Sequence, residues 1–260
     1  MPRYFIEVSY KGSRYSGFQV QKNANSIQAE VEKCLGIFYK STIDLTGSSR
    51  TDAGVHALQN YFHADYEGVI DSSNIYHLNA ILPQDIVIKR IIPVNDKAHC
   101  RFDAVSRTYL YRLYSSKDPF MEDRAYYFPY RLDIGFLQHA AELIMHYSDF
   151  TTFSKRNTQV NNFNCTIYES SWVEEGNILS YRVSGNRFLR GMVRGLVGTM
   201  LRVGNGKITL EDFKNIIESR DCGRADFSVP AHGLFLEEVE YKDFEPRLHR
   251  DTELHSGTSV

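Results

Sequence analysis

Cysteine is scarce: the chain has four in 260 residues, at positions 34, 100, 165 and 222. So few, so scattered and with no Cys-x-x-Cys pair, they supply neither a disulfide framework, nor a zinc ribbon, nor a thioredoxin-like redox pair. Long apolar runs are missing too, since nowhere do about 18 apolar residues follow one another as a membrane-spanning helix requires. The opening residues, Met-Pro-Arg-Tyr-Phe-Ile-Glu-Val, lack the basic-then-apolar layout of a signal peptide. These absences predict a soluble protein of a reducing compartment, the cytoplasm, with no membrane partner. Excess charge is also lacking. Lys and Arg number 30 against 32 Asp and Glu, a net charge of −2, which by itself argues against nucleic acid. The nine histidines show no ligand spacing, so no metal is expected. What is present is ordinary globular composition, 42% hydrophobic and 24% charged, in a chain long enough for one large domain or two modest ones.

The neutral average hides segregation. From Gly176 to Leu210 there is no acidic residue, yet Arg182, Arg187, Arg190, Arg194, Arg202 and Lys207 all fall inside. A second acid-free window, Val8 to Ala29, carries Lys11, Arg14 and Lys22 among Tyr10, Tyr15 and Phe18. Such windows can form one positive face toward a polyanion, or merely a solvated surface.

Periodicity lays out the elements. Alternation over Arg3–Tyr10 predicts a strand, and Asn25-Ser26 caps a helix over 26–39 with Ile27, Val31, Leu35 and Phe38 inward. A short strand over 43–46 leads into the loop 47–54, followed by an extended stretch over 57–66. A helix over 72–82 stops at Pro83, and a strand covers 86–92. In the second half the pattern predicts a strand over 108–114, a helix over 133–147 and a strand pair turning at Gly176. A long helix over 186–203, a helix over 210–219 and a final strand over 234–241 complete it. On that helix Arg187, Arg190 and Arg194 would line one face at offsets of three and four. Irregular alternation of strands and helices favours α+β, helices on a largely antiparallel sheet.

The loop Arg50-Thr51-Asp52-Ala53-Gly54-Val55-His56 stands out. An Asp between glycines can be presented at a cleft with its backbone close to a ligand, and Arg50 could pair with the carboxylate. Asp52 could equally be a turn residue bonded to its own backbone. An aspartic-protease reading is excluded, because Ala53 fills the position of the Thr or Ser hydroxyl and there is no second copy.

This loop, with Gly47 before it, resembles the signature of the bacterial TruA-type tRNA pseudouridine synthases. Tyr10-Lys11-Gly12-Ser13-Arg14-Tyr15-Ser16-Gly17-Phe18-Gln19 is similar to that family's N-terminal strand and basic loop. The segments Asn79 to Ile86, Phe102-Asp103-Ala104, Arg107-Thr108-Tyr109-Leu110-Tyr111, Arg187 to Arg194 and Pro230 to Leu236 follow in the family's order. Three positions depart from it: Ser49 stands for the usual Gly, Gly191 for His or Asn, and Phe18 for Trp.

The resemblance implies an α+β pseudouridine synthase fold, two similar halves sharing a mixed, largely antiparallel sheet with a central cleft. The halves would be 1–104, with the Asp loop, and 105–243, with the basic helix, followed by a polar tail over 244–260. It implies isomerisation of uridine to pseudouridine in the anticodon stem-loop of tRNA, at positions 38, 39 and 40, without cofactor, by a homodimer. Asp52 would be catalytic, with Arg50, Tyr109, Arg194 and Leu234 binding substrate. Lys11, Arg14, Arg107, Arg187 and Arg190 would contact the RNA backbone. The chemistry fits these types: a base leaving the stack needs an aromatic face, and a carboxylate can act on the ribose as nucleophile or base. A catalytically inactive tRNA-binding protein on the same fold is the alternative, and a metal-dependent hydrolase lacks clustered ligands.

Overall fold

In the computed structural model, which describes residues 1–156, 160 and 162–242, the strand expected at the N-terminus is present as β1 (Arg3–Tyr10). Both its faces are covered, so Phe5 is as buried as Ile6, and Glu7 is buried in an ion pair with Arg90. Helix α1 (Ile27–Tyr39) starts where Ser26 Oγ accepts the Ala29 N–H and buries Ile27, Val31, Cys34 and Leu35. The next strand is shorter and later than the pattern suggested, β2 (Thr46–Gly47), followed by β3 (His56–Asp65). Helix α2 (Ile75–Ile81) stops before Pro83, and β4 (Ile86–Val94) closes the first half.

The second half opens with β5 (Ala104–Tyr114) and the two-residue β6 (Tyr126–Tyr127), which no alternation announced. Then come α3 (Ile134–Ile144) and the hairpin of β7 (Ile167–Glu175) and β8 (Ile178–Gly185), turning at Gly176 with φ +63°. Helix α4 (Met192–Gly204), α5 (Leu210–Glu218) and β9 (Leu234–Tyr241) follow. Thr209 and Asp212 form a reciprocal capping box at the start of α5. The predicted helix over 186–203 therefore begins six residues late. Gly191 precedes it in the left-handed region at φ +75°, which ends the preceding turn before the helical ladder starts. Arg187 and Arg190 consequently lie in a loop, and the helix face they were expected to share with Arg194 does not exist.

One sheet runs through the chain in the order β4-β1-β3-β9-β5-β8-β7, with β2 on β3 and β6 on β5. All pairings are antiparallel except β3–β9 and β5–β6. The fold is α+β with a mixed, largely antiparallel sheet. Two apolar cores flank its middle. One gathers β1, β3, β4, α1 and α2, and the other gathers β5, β7, β8 and α3 to α5. Strand β9 serves both, with Leu234 in the second core and Leu236, Val239 and Tyr241 in the first. Among the described residues no helix is long and apolar enough to cross a membrane. The polar tail over 244–260 lies outside the described residues.

Candidate active site

Strands β3 and β9 are the parallel seam of the sheet, and they pair only at His56 with Phe235 and Ala57 with Leu236. Parallel strands begin at the same edge, so the loops entering them, 47–55 and 230–233, lie side by side. Gly54 takes φ +79°, and a Cβ on it would sit 3.3 Å from the Ala231 Cβ. Val55, though it belongs to the first half, packs into the second core. His56 links three segments. Its ring stacks on Phe235 at 4.7 Å, Nε2 donates to the His232 carbonyl (3.0 Å), and Nδ1 accepts the Gly12 N–H (3.0 Å). These two bonds fix one neutral tautomer.

Burial holds the His56 imidazole below its ordinary pKa, and protonating Nδ1 would break the Gly12 bond. Below about pH 6.5 the unfolded chain therefore takes up a proton that the folded chain refuses, so His56 makes stability fall as pH drops through that value. Burial pushes His63 down to about 4, adding in the same direction. Urea midpoints should drop between pH 7.5 and 5.5, and the drop should shrink in His56→Gln. An equal drop in both proteins would count against this role.

The Asp52 loop is fixed from beneath. Thr51 Oγ1 bonds the Tyr10 hydroxyl (2.8 Å), the Ser49 carbonyl accepts Asn60 Nδ2 (2.8 Å), and the Thr51 carbonyl accepts the Phe18 N–H (3.1 Å). Phe18 in turn stacks on Phe62 with centroids 4.5 Å apart, the plane that fills the Trp position of the resemblance. Two glycines let backbones touch: a Cβ on Gly17 would lie 2.9 Å from the Thr51 carbonyl oxygen, and one on Gly12 2.0 Å from that of Val55. Asp52 opens a turn, its carbonyl accepting the Val55 N–H (3.2 Å). Its half-buried carboxylate makes no hydrogen bond or ion pair among the described residues, so it is not bonded to its own turn. The expected pairing with Arg50 is absent as well. The chain turns at Asp52, leaving the Arg50 side chain exposed to solvent.

Tyr109 on β5 lies at the seam between Val183 and Leu236 and touches both cores. Its half-buried ring meets the edge of Phe188 at 5.0 Å. Burial pushes its phenol up to about 12, the Arg107 guanidinium opposes this, and the Asp52 charge adds to it. Tyr109 pairs with Leu236 of β9, which pairs in turn with Ala57 of β3, so β5 presents it at the strands that the Asp52 loop leads into. Leu234, buried at the start of β9, pairs with Tyr111, whose hydroxyl donates to the Pro230 carbonyl (2.8 Å). Arg194, in the first turn of α4, donates to the Val229 (2.8 Å) and Phe227 (3.3 Å) carbonyls and so ties the approach to the 230–233 loop.

Of the backbone-contact candidates, Arg107 is a brace. It donates to the carbonyls of Ala104 (2.9 Å), Asn186 (3.1 Å) and Arg101 (2.6 Å), reaches the Ser49 hydroxyl at 3.5 Å, and is lowered in pKa by burial. Lys11 pairs with Asp123, and Arg14 with Asp85 at 2.6 Å. Arg187 reaches the Asn162 side chain (3.3 Å), while Arg190 is exposed. In the basic window Arg182 is neutralised by Glu169 and Glu237. The role of His56 as a clamp carried no signal in the sequence, because its carbonyl partner is 176 residues away.

The profile of one family, tRNA pseudouridine synthase, matches residues 6–103 and 141–242. The chain belongs to that family. The match spans the Asp52 loop, His56, α4 and β9, and the stretch between its two segments holds all of β5, with Tyr109, and β6. Three relatives, each named tRNA pseudouridine synthase A, are similar over nearly their whole length. That of Porphyromonas gingivalis is 45% identical over 247 residues, 93% of this chain and 98% of the relative. That of Parabacteroides distasonis is 42% identical over 245 residues, with 94% and 97% covered. That of Staphylococcus aureus strain Newman is 36% identical over 265 residues, with 98% and 99% covered.

Proposed function

We propose that the chain is a tRNA pseudouridine synthase, an isomerase acting on uridines 38, 39 and 40 of the anticodon stem-loop, with Asp52 as its catalytic group. The observation that carries this is the carboxylate of the half-buried Asp52, unbonded among the described residues, in the loop that enters the parallel seam where Tyr109 pairs with Leu236. A carboxylate left without partners in a rigid loop is available for chemistry on the ribose. It either attacks the anomeric carbon or removes the proton of the neighbouring carbon. In both routes the base leaves its glycosidic nitrogen, turns over and rejoins through carbon 5, whose hydrogen is released. Tyr109 offers the aromatic face that holds the flipped base, and Leu234 the apolar wall. The exposed Arg50 and the guanidinium of Arg194 bind the substrate strand. No cofactor or metal takes part.

The two halves, 1–104 and 105–243, close this cleft from either side. A homodimer working in the cytoplasm presents the second surface that a tRNA spans. The test is tritium release from tRNA labelled at uridine carbon 5, with chelator present, followed by mapping of the modified positions. Release with pseudouridine at 38–40 supports the reading. Undiminished tRNA binding without release would replace it with that of an inactive tRNA-binding protein.

The partners of the cations sharpen the RNA path. Arg187 and Arg190 keep their charge unopposed by any acid among the described residues, whereas Arg182 does not. Replacing Arg187 and Arg190 together by Ala should reduce the slope of log affinity against log salt by about two contacts and weaken all tRNAs alike. Arg182→Ala should leave that slope unchanged. Filter binding from 50 to 300 mM salt reads both, and an unaltered slope in the double variant removes these residues from the path.

A further inference from the structure

Away from the Asp52 loop, three side chains of metal-ligating type converge with no part in the reaction. His63 on β3, and His99 and Cys100 in the segment between β4 and β5, each bring one ligand atom within 4.8 Å of the others. His63 and Cys100 are buried and His99 is half-buried. His63 Nδ1 and Cys100 Sγ are 3.2 Å apart, and the two imidazoles meet edge to face at 4.6 Å. Ligand atoms around a tetrahedral zinc, with bonds of about 2.0–2.3 Å, sit about 3.5 Å from each other. Two of the three are already that close, so it is the His99 ring that has to swing in, by roughly 1.3 Å at most.

We propose that His63, His99 and Cys100 form a binding site for one divalent ion of the zinc class, clamping the 95–103 segment to β3. The donor set, two imidazoles and a thiolate, suits zinc, cobalt or cadmium rather than magnesium or calcium, which take oxygen. His63 Nδ1 accepts the Cys100 backbone N–H at 3.4 Å, a long bond that ligation through Nδ1 gives up. On binding, the Cys100 proton leaves to solvent, and a sulfur–metal bond replaces the S–H bond to the Thr46 carbonyl (3.1 Å). His99 Nδ1 accepts the Arg101 N–H (3.1 Å), so ligation through Nε2 gives up that local bond and holds affinity below that of four-ligand structural sites.

Surrounding charge permits a cation. Arg3 is neutralised by Asp65 (2.6 Å), Arg107 faces carbonyls, and the Asp103 carboxylate accepts the His99 backbone N–H at 2.7 Å. The clamp reaches the Asp52 loop through one relay, because the Tyr241 hydroxyl bridges the Cys100 carbonyl (2.6 Å) and Ser48 Oγ (3.2 Å). The ion is thus a brace behind the loop, and chelation leaves turnover in place.

The probe is cobalt(II), added to chelator-stripped full-length protein. Wild type should take about one equivalent and develop the strong near-ultraviolet absorption of a cobalt–thiolate bond. Cys100→Ser, which keeps a donor for the Thr46 carbonyl, should lose that absorption. His99→Ala, at a half-buried position, should bind roughly tenfold or more weakly. Cys222→Ser should behave as wild type. Zinc should raise the melting temperature of wild type and not of Cys100→Ser. Absence of the band in wild type, its survival in Cys100→Ser, or its loss in Cys222→Ser alone overturns the site. If Cys100→Ser does not fold, undiminished binding by His99→Ala overturns it.

Discussion

Asp52→Asn is expected to take pseudouridine formation to background while leaving the fold intact. The substitution preserves size and removes only the charge and basicity. The carboxylate has no bond within the described protein to lose, so stability should stay within about 0.5 kcal/mol of wild type. Affinity for tRNA should persist or rise slightly, since a carboxylate near phosphates repels them. The rate should fall by more than the ~10²–10⁴-fold typical of a single acid–base group, because no neighbour replaces an obligatory nucleophile or base. A second readout is independent of turnover. The Asp52 charge contributes to the elevation of Tyr109, so Tyr109 should titrate lower in Asp52→Asn by ultraviolet absorption. A variant that keeps a tenth of wild-type turnover, measured as pseudouridine per enzyme over hours, would remove Asp52 from the chemistry.

What could be read from the residues, and what could not, follows from the range of the interactions. Period-two and period-3.6 patterns are local, and nearly every strand and helix they predicted is present, with β9 at the predicted limits. The start of α4 was misplaced because Phe188, Leu189, Val193 and Leu196 continue an apolar rhythm through a turn. Only the left-handed Gly191 marks the break. Charge was legible along the chain but not in space. Lys11, Arg14 and Arg182 lie in acid-free windows, yet each meets a carboxylate brought by another element. The Asp52 loop was visible as a motif, whereas its supports were not. Tyr10, Asn60, Gly12 and His232 reach it only through the fold. The same holds for His63 and Cys100, 37 residues apart and in contact, which no spacing rule finds.

Gly12→Ala tests the claim that this support sets the chemistry. A Cβ on Gly12 would lie 2.0 Å from the Val55 carbonyl oxygen and 2.7 Å from its carbon, far inside van der Waals contact with backbone. Neither side yields easily. The Gly12 turn is anchored through the Lys11 N–H to the Asp85 carbonyl (2.9 Å) and through Arg14 and Tyr15 to the Asp85 carboxylate (both 2.6 Å). Val55 is packed in the second core, and His56 is held on both ring nitrogens. The backbones must therefore separate, weakening the Gly12 N–H bond to His56, with a loss of roughly 1–3 kcal/mol typical of overpacking. Asp52 is tied to Val55 by the turn bond and moves with it. A displacement near 1 Å at a reacting group is worth about 100-fold in rate. The expected result is a kcat lower by about that factor, a KM for tRNA changed little, and a reduced melting temperature. Ser13→Ala, next in sequence and exposed, should change none of the three. If Gly12→Ala turns over at the wild-type rate, the close approach of these two backbones is not what positions Asp52.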